Sequence, residues 1–118
     1  MTQFKQKIIV NASQTASNLG SGLLPVFATP SLIALMENTA MQLIELPEGK
    51  SSVGTAISVK HVKASAIGEE IECIAKLIYS EGRKYNFEIK AFDSKGDLVG
   101  EGEHERYIVD IERFMSKL

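Results

Sequence analysis

A chain of 118 residues, 44% hydrophobic and 24% charged, has the composition of one globular domain spanning residues 1–118. Its formal charge of −2 gives no general attraction for nucleic acid or an anionic membrane, so an anionic ligand must meet local basic groups. No apolar run approaches a membrane span, residues 1–12 lack the plan of a signal peptide, and the single Cys73 permits no internal disulfide, so a cytoplasmic setting is expected.

Residues 4–10 (FKQKIIV) predict a first strand. Residues 11–24 (NASQTASNLGSGLL) are small, polar and glycine-containing, and predict a long loop of the kind that serves as a lid or binding loop. Thr29-Pro30 reads as a helix start, with Thr29 as N-cap and Pro30 in the first helical position. Leu32, Ile33, Leu35, Met36, Ala40, Leu43 and Ile44 then recur at helical spacing, and Pro47-Glu48-Gly49 ends the helix. That spacing sets Glu37 beside Ile33, Ala40 and Ile44, at the rim of the apolar face.

The remainder predicts four antiparallel strands. Residues 51–63 alternate, with Val53, Thr55, Ile57, Val59 and His61 on one side. Residues 70–79 put Ile71, Cys73, Ala75, Leu77 and Tyr79 on one face, and 83–92 do the same with Tyr85, Phe87, Ile89 and Ala91. The last strand is 98–109, and the tail IERFMSKL predicts a helical turn or two. The class is α+β, with one helix packed on a curled sheet.

Thr29, Glu37 and His61 are the candidate catalytic residues. A hydroxyl at a helix mouth sits where free N–H groups favour developing negative charge, although capping alone also accounts for a threonine there. Glu37 at the helix rim is partly desolvated, which suits a general base, although a surface carboxylate is common at such a boundary. His61 ends an apolar register and titrates near neutrality, as general acid–base work requires; a hydrogen-bonded strand-end histidine is the plainer alternative. Gly54 inside the same strand marks a bulge or a close approach. Gly100, Gly102, His104 and Arg106 share one face of the last strand, and Arg106 could orient a carboxylate or contact a phosphate. Lys60, Lys63, Arg83 and Lys84 could meet phosphates, but scattered surface cations usually serve solubility. Cys73 reads as core packing, and one cysteine with two histidines makes a zinc site unfavourable, so no metal or cofactor is expected.

The stretches VFATPSLIALMENTA, VGTAISVKH, EGRKYNFEIKAFD and GEHERYIV, in that order, resemble the hot-dog-fold thioesterases of the fluoroacetyl-CoA thioesterase group. The resemblance implies a hot-dog fold: a curved antiparallel sheet of about five strands wrapped around one long central helix. It further implies a homodimer joined sheet edge to sheet edge, able to pair again into a higher oligomer, with the active site at the dimer interface. Thr29, Glu37 and His61 match the family's catalytic trio, and Gly54 and Arg106 match positions associated with the site. His61 and Gly54 are then expected to face Thr29 and Glu37 across the interface. The family's fluoroacetyl specialist carries aromatic residues in its lid. Here that loop reads Leu19-Gly20-Ser21-Gly22-Leu23-Leu24, and Phe27 is the only nearby aromatic. Leu23 and Phe27 are the expected substrate-contacting residues of the loop. The implied activity is hydrolysis of an acyl-CoA carrying a small acyl group, with Glu37 either activating water or attacking directly. A non-catalytic acyl-CoA or small-ligand binding module on the same fold is the alternative. A hot-dog hydratase or dehydratase is weaker, because residues 30–46 hold neither Asp nor His.

Overall fold

Five antiparallel strands form one sheet in a computed structural model that describes all 118 residues. They are β1 (Gln3–Ile9), β2 (Lys50–His61), β3 (Glu70–Glu81), β4 (Lys84–Asp93) and β5 (Leu98–Asp110), in spatial order β1-β3-β4-β5-β2. Two short elements, a 3-10 turn at Ala12–Gln14 and α1 (Ala16–Leu19), precede the main helix α2 (Thr29–Met41), and α3 (Ile111–Ser116) closes the chain. No helix is long and apolar enough to cross a membrane.

The α2 helix packs on all five strands and buries Leu32, Leu35, Met36 and Ala40. Facing them are Ile71, Cys73 and Ala75 of β3 and Phe87, Ile89 and Ala91 of β4, which is the alternation read from the sequence. Burial pushes the Cys73 thiol up to about 11, so it packs as a small apolar group. Gly100 lets the helix come close: a Cβ there would stand 2.7 Å from Leu32 Cδ2. Deleting a fully buried leucine such as Leu32 costs about 2–5 kcal/mol.

Four sequence expectations are corrected. Residues 11–24 are not one open loop: Asn11 and Gln14 form a capping box, and Thr15 caps α1 by accepting from Asn18 N–H. The α2 helix stops at Met41, three residues early, because Leu43 and Ile44 bond back to Ala40 and Met41 in a tightened last turn while staying buried. In β3, a register shift between Leu77 and Tyr79 turns Tyr79 outward. In β2, Gly54 pairs with Arg106 but Ala56 pairs with Glu105, which leaves Thr55 as a bulge. That bulge reverses the alternation. Gly54 and Ser52, not Val53 and Thr55, share the inner face with Ile57, Val59 and His61, while Thr55 Oγ1 donates to Glu105 at 2.7 Å.

Strand β2 pairs only with β5, so its other edge is free over twelve residues, and Thr55, Ala56, Ser58 and Lys60 along it are exposed. A long open edge invites pairing with another strand.

Candidate active site

Thr29 is not the N-cap. Ala28, buried and extended, caps α2 without a side-chain bond, so Thr29 and Pro30 occupy the first two helical positions. The backbone enforces this: Phe27 N–H donates to Ser65 O and Ala28 N–H to Gln14 O, which anchors the chain one residue earlier. The Thr29 hydroxyl is therefore spared from capping and lies 2.8 Å from His61 Nδ1. The Phe27 ring stands nearly perpendicular to the imidazole at a centroid distance of 6.3 Å. His61 Nε2 is buried and makes no hydrogen bond within the chain. Burial pushes the His61 pKa below its ordinary 6.5, partly offset by the backbone of Lys63, so the ring is neutral at pH 7. Helix geometry leaves the Thr29 and Ser31 N–H groups without intrahelical acceptors, and Leu32 N–H is the first to be paired, with Ala28 O. Phe27, Thr29, Pro30, His61, Val62 and Lys63 line a cleft of about 310 Å³ at this mouth, a volume at the small end for ligand sites.

Glu37 belongs to a second cluster. Its carboxylate is 38% exposed, and Oε2 lies 3.9 Å from Arg106 Nη1, an ion pair without a hydrogen bond. Arg106 is buried and held by other groups: Nε donates to Ser52 Oγ and Nη2 to Ser52 O, both at 3.0 Å, and Nη1 to His104 Nε2 at 3.1 Å. The carboxylate thus sits beside a fixed positive charge while its lone pairs stay free. Gly54 is what admits it, since a Cβ there would stand 2.7 Å from Glu37 Oε2.

Two contacts expected across the interface form within one chain. Thr29 meets His61, and Glu37 meets Gly54 and Arg106, each within one chain. The two clusters do not converge within it: eight residues of α2 separate Thr29 from Glu37, about 12 Å of helix rise. Leu23 is 93% exposed and lines no part of the cleft, whereas Phe27 does. Lys63 is engaged by Asp93 and Asp97, and Lys84 by Glu105, which leaves both committed to structural pairs. Sequence reasoning missed two contributors, His104 and Ser52. His104 was visible as the inward neighbour of Arg106, but its place under Glu37 depends on the bulge at Thr55.

Both histidines confer acid sensitivity. Burial pushes His104 below 6.5 as well, opposed by the Ala56 carbonyl and reinforced by Arg106. A buried histidine with a depressed pKa binds fewer protons folded than unfolded, so its stabilisation is full above 6.5 and is lost as pH falls through the folded value. We expect Tm to decline as pH drops below 6.5, before the carboxylates titrate, and His104→Gln to flatten that decline in calorimetric scans. A Tm that rises over that interval would contradict it.

Comparison with known proteins shows the family and the fold. The model of the fluoroacetyl-CoA-specific thioesterase family matches residues 10–112. The fluoroacetyl-CoA thioesterase of Streptantibioticus cattleyicolor is 36% identical over 95 residues, covering 79% of this chain and 68% of that protein. A solved structure of the fluoroacetyl-CoA thioesterase FlK superposes with a TM-score of 0.92 at 31% identity, covering 98% of this chain and 90% of that one. A mutant of FlK in complex with fluoroacetate and CoA gives 0.89 at 31% identity, with 95% of each chain covered. A hot-dog-like protein from Thermanaerovibrio acidaminovorans gives 0.88 at 25% identity, covering 98% of this chain and 87% of that one. Fold and similarity together define a hot-dog thioesterase, an enzyme that hydrolyses acyl-CoA thioesters. Within that class, the chain belongs to the fluoroacetyl-CoA-specific thioesterase family.

Proposed function

We propose that this enzyme hydrolyses a short acyl-CoA at a composite site, in which the Thr29–His61 cluster of one protomer faces the Glu37–Arg106 cluster of its partner. The supporting observation is the separation of the two clusters within one chain, about 12 Å along α2. Antiparallel pairing of the free β2 edges about a two-fold axis is the contact that would bring the two clusters of opposite protomers together. An isologous contact of this kind builds two equivalent sites.

In this reading the thioester carbonyl sits at the start of α2. The Thr29 hydroxyl and the unpaired Thr29 and Ser31 N–H groups stabilise the oxyanion as the tetrahedral intermediate forms. Glu37 takes a proton from water, whose oxygen attacks the carbonyl carbon. The alternative is direct attack by the carboxylate, giving an anhydride that water then opens. The C–S bond breaks, CoA leaves as thiolate, and His61 relays the proton that restores the thiol. Arg106 holds the charge beside Glu37 without occupying its lone pairs. The cytoplasm, where acyl-CoA esters and reduced thiols are both at hand, is the matching compartment.

The small cleft and the aliphatic loop bear on the acyl group. Leu23 and Leu24 are exposed apolar side chains in front of the helix, free to fold over a ligand in place of an aromatic lid. We expect a panel of acyl-CoA esters, read by thiol release, to show hydrolysis confined to short chains, and Leu23→Ala to raise KM more than it lowers kcat. CoA binding with no thiol release across the panel would instead identify a binding module.

A further inference from the structure

The cluster round Glu37 rests on a histidine to which the chemistry above gives no part. His104 is 2% exposed, lying between the ring of Phe87, at a centroid distance of 6.2 Å, and the bare backbone of Gly54. A Cβ on Gly54 would stand 3.1 Å from His104 Cε1, so the same missing side chain makes room for both this ring and Glu37. His104 Nδ1 lies 2.8 Å from the carbonyl oxygen of Ala56, the residue after the bulge. A carbonyl oxygen only accepts, so Nδ1 carries the proton and Nε2 presents a lone pair. A guanidinium only donates, and Arg106 Nη1 meets that lone pair at 3.1 Å. The two bonds require one state of the ring, neutral and protonated on Nδ1.

The consequence concerns aim. Ser52 holds Arg106 through Nε and Nη2, the two nitrogens that do not face Glu37. Nη1 is the nitrogen nearest the carboxylate, and its one hydrogen-bond partner is His104. We propose that His104 is a positioning residue for thioester hydrolysis: its Nε2 lone pair fixes Arg106 Nη1 and thereby sets the guanidinium beside the Glu37 carboxylate. The proposal rests on the reading of Glu37 as the reacting carboxylate.

Three variants separate aiming from packing. His104→Asn keeps a donor for Ala56 but is too short to reach Arg106. His104→Gln extends its side-chain oxygen toward the place of Nε2. His104→Phe fills the space and accepts nothing. On an acyl-CoA that the wild type cleaves, Asn and Phe should lower kcat on the order of 10²-fold, the cost of a misplaced active-site group, with KM little changed. Gln should restore most of kcat at equal Tm. If His104 acts through Arg106, His104→Asn combined with Arg106→Gln should be no worse than Arg106→Gln alone. Multiplying losses in the double variant, wild-type kcat in His104→Asn, or a Gln variant as poor as Asn would overturn the proposal. Should Phe fail to fold, the Asn and Gln pair still decides. Full activity in Glu37→Gln would sink the reading of Glu37 and this inference with it, whereas an inactive Glu37→Gln beside a fully active His104→Asn sinks the inference alone.

Discussion

Glu37→Gln is expected to lower kcat by roughly 10²–10⁴-fold while leaving the fold intact, the range for loss of a positioned acid–base group. The substitution keeps the shape and removes the charge, so it tests chemistry rather than packing. Both routes open to the site need the carboxylate: an amide neither takes a proton from water nor attacks a thioester. Stability should change little, because Glu37 is 38% exposed and its contact with Arg106 is an ion pair at 3.9 Å without a hydrogen bond. Arg106 keeps both bonds to Ser52 and the one to His104, so it is not stranded. Steady-state thiol release combined with a melting curve checks both halves. A variant with normal kcat, or one that has simply unfolded, contradicts the account.

His61→Ala should be as damaging, again about 10²–10⁴-fold in kcat. The imidazole is the only hydrogen-bond partner that the Thr29 hydroxyl has within the chain, and it stands beside Phe27 at the cleft wall. In the proposed mechanism its removal takes away the proton relay and frees the Thr29 hydroxyl to rotate away from the thioester carbonyl. If Thr29 and His61 act as a unit, Thr29→Ala added to His61→Ala should cost much less than the product of the two single losses. Stopped-flow thiol release on the three variants measures this. Independent, multiplying losses would mean that the 2.8 Å contact has no part in the reaction.

Much of this was legible in the chain. The alternation Ile71-Cys73-Ala75 against Phe87-Ile89-Ala91 marks two central strands because each residue meets the apolar face of α2. Glu37 sits at the rim of the helix as its spacing requires, and Gly54 marks the close approach it suggested. Gly54 also signalled the bulge that falls one residue later at Thr55, but the change of facing it causes was not legible, and nothing signalled the bulge at Ile78. One extra residue in a strand changes no composition, yet it turns every side chain beyond it to the other face. That is why the sequence pattern predicts Thr55 on the face of Ile57 and His61, where the structure puts Gly54 and Ser52. The sequence predicts Thr29 as a cap because threonine before proline usually is one. Bonds from Phe27 to Ser65 and from Ala28 to Gln14, distant in sequence, moved the start of the helix and released the hydroxyl. The contacts of Thr29 with His61 and of Glu37 with Gly54 within one chain were not legible either, because spacing along a chain does not say which residues of one inner face lie at the same end of the helix.

Complementation between two inactive chains decides whether the site is composite. Glu37→Gln and His61→Ala chains, co-expressed with different tags so that the mixed dimer can be isolated, carry their lesions in different halves. If each site takes Glu37 from one protomer and His61 from the other, the mixed dimer has one intact site and one doubly damaged site, and regains about half of wild-type activity from two inactive parents. A mixed dimer as inactive as its parents would place all three residues at work within one chain and contradict the account.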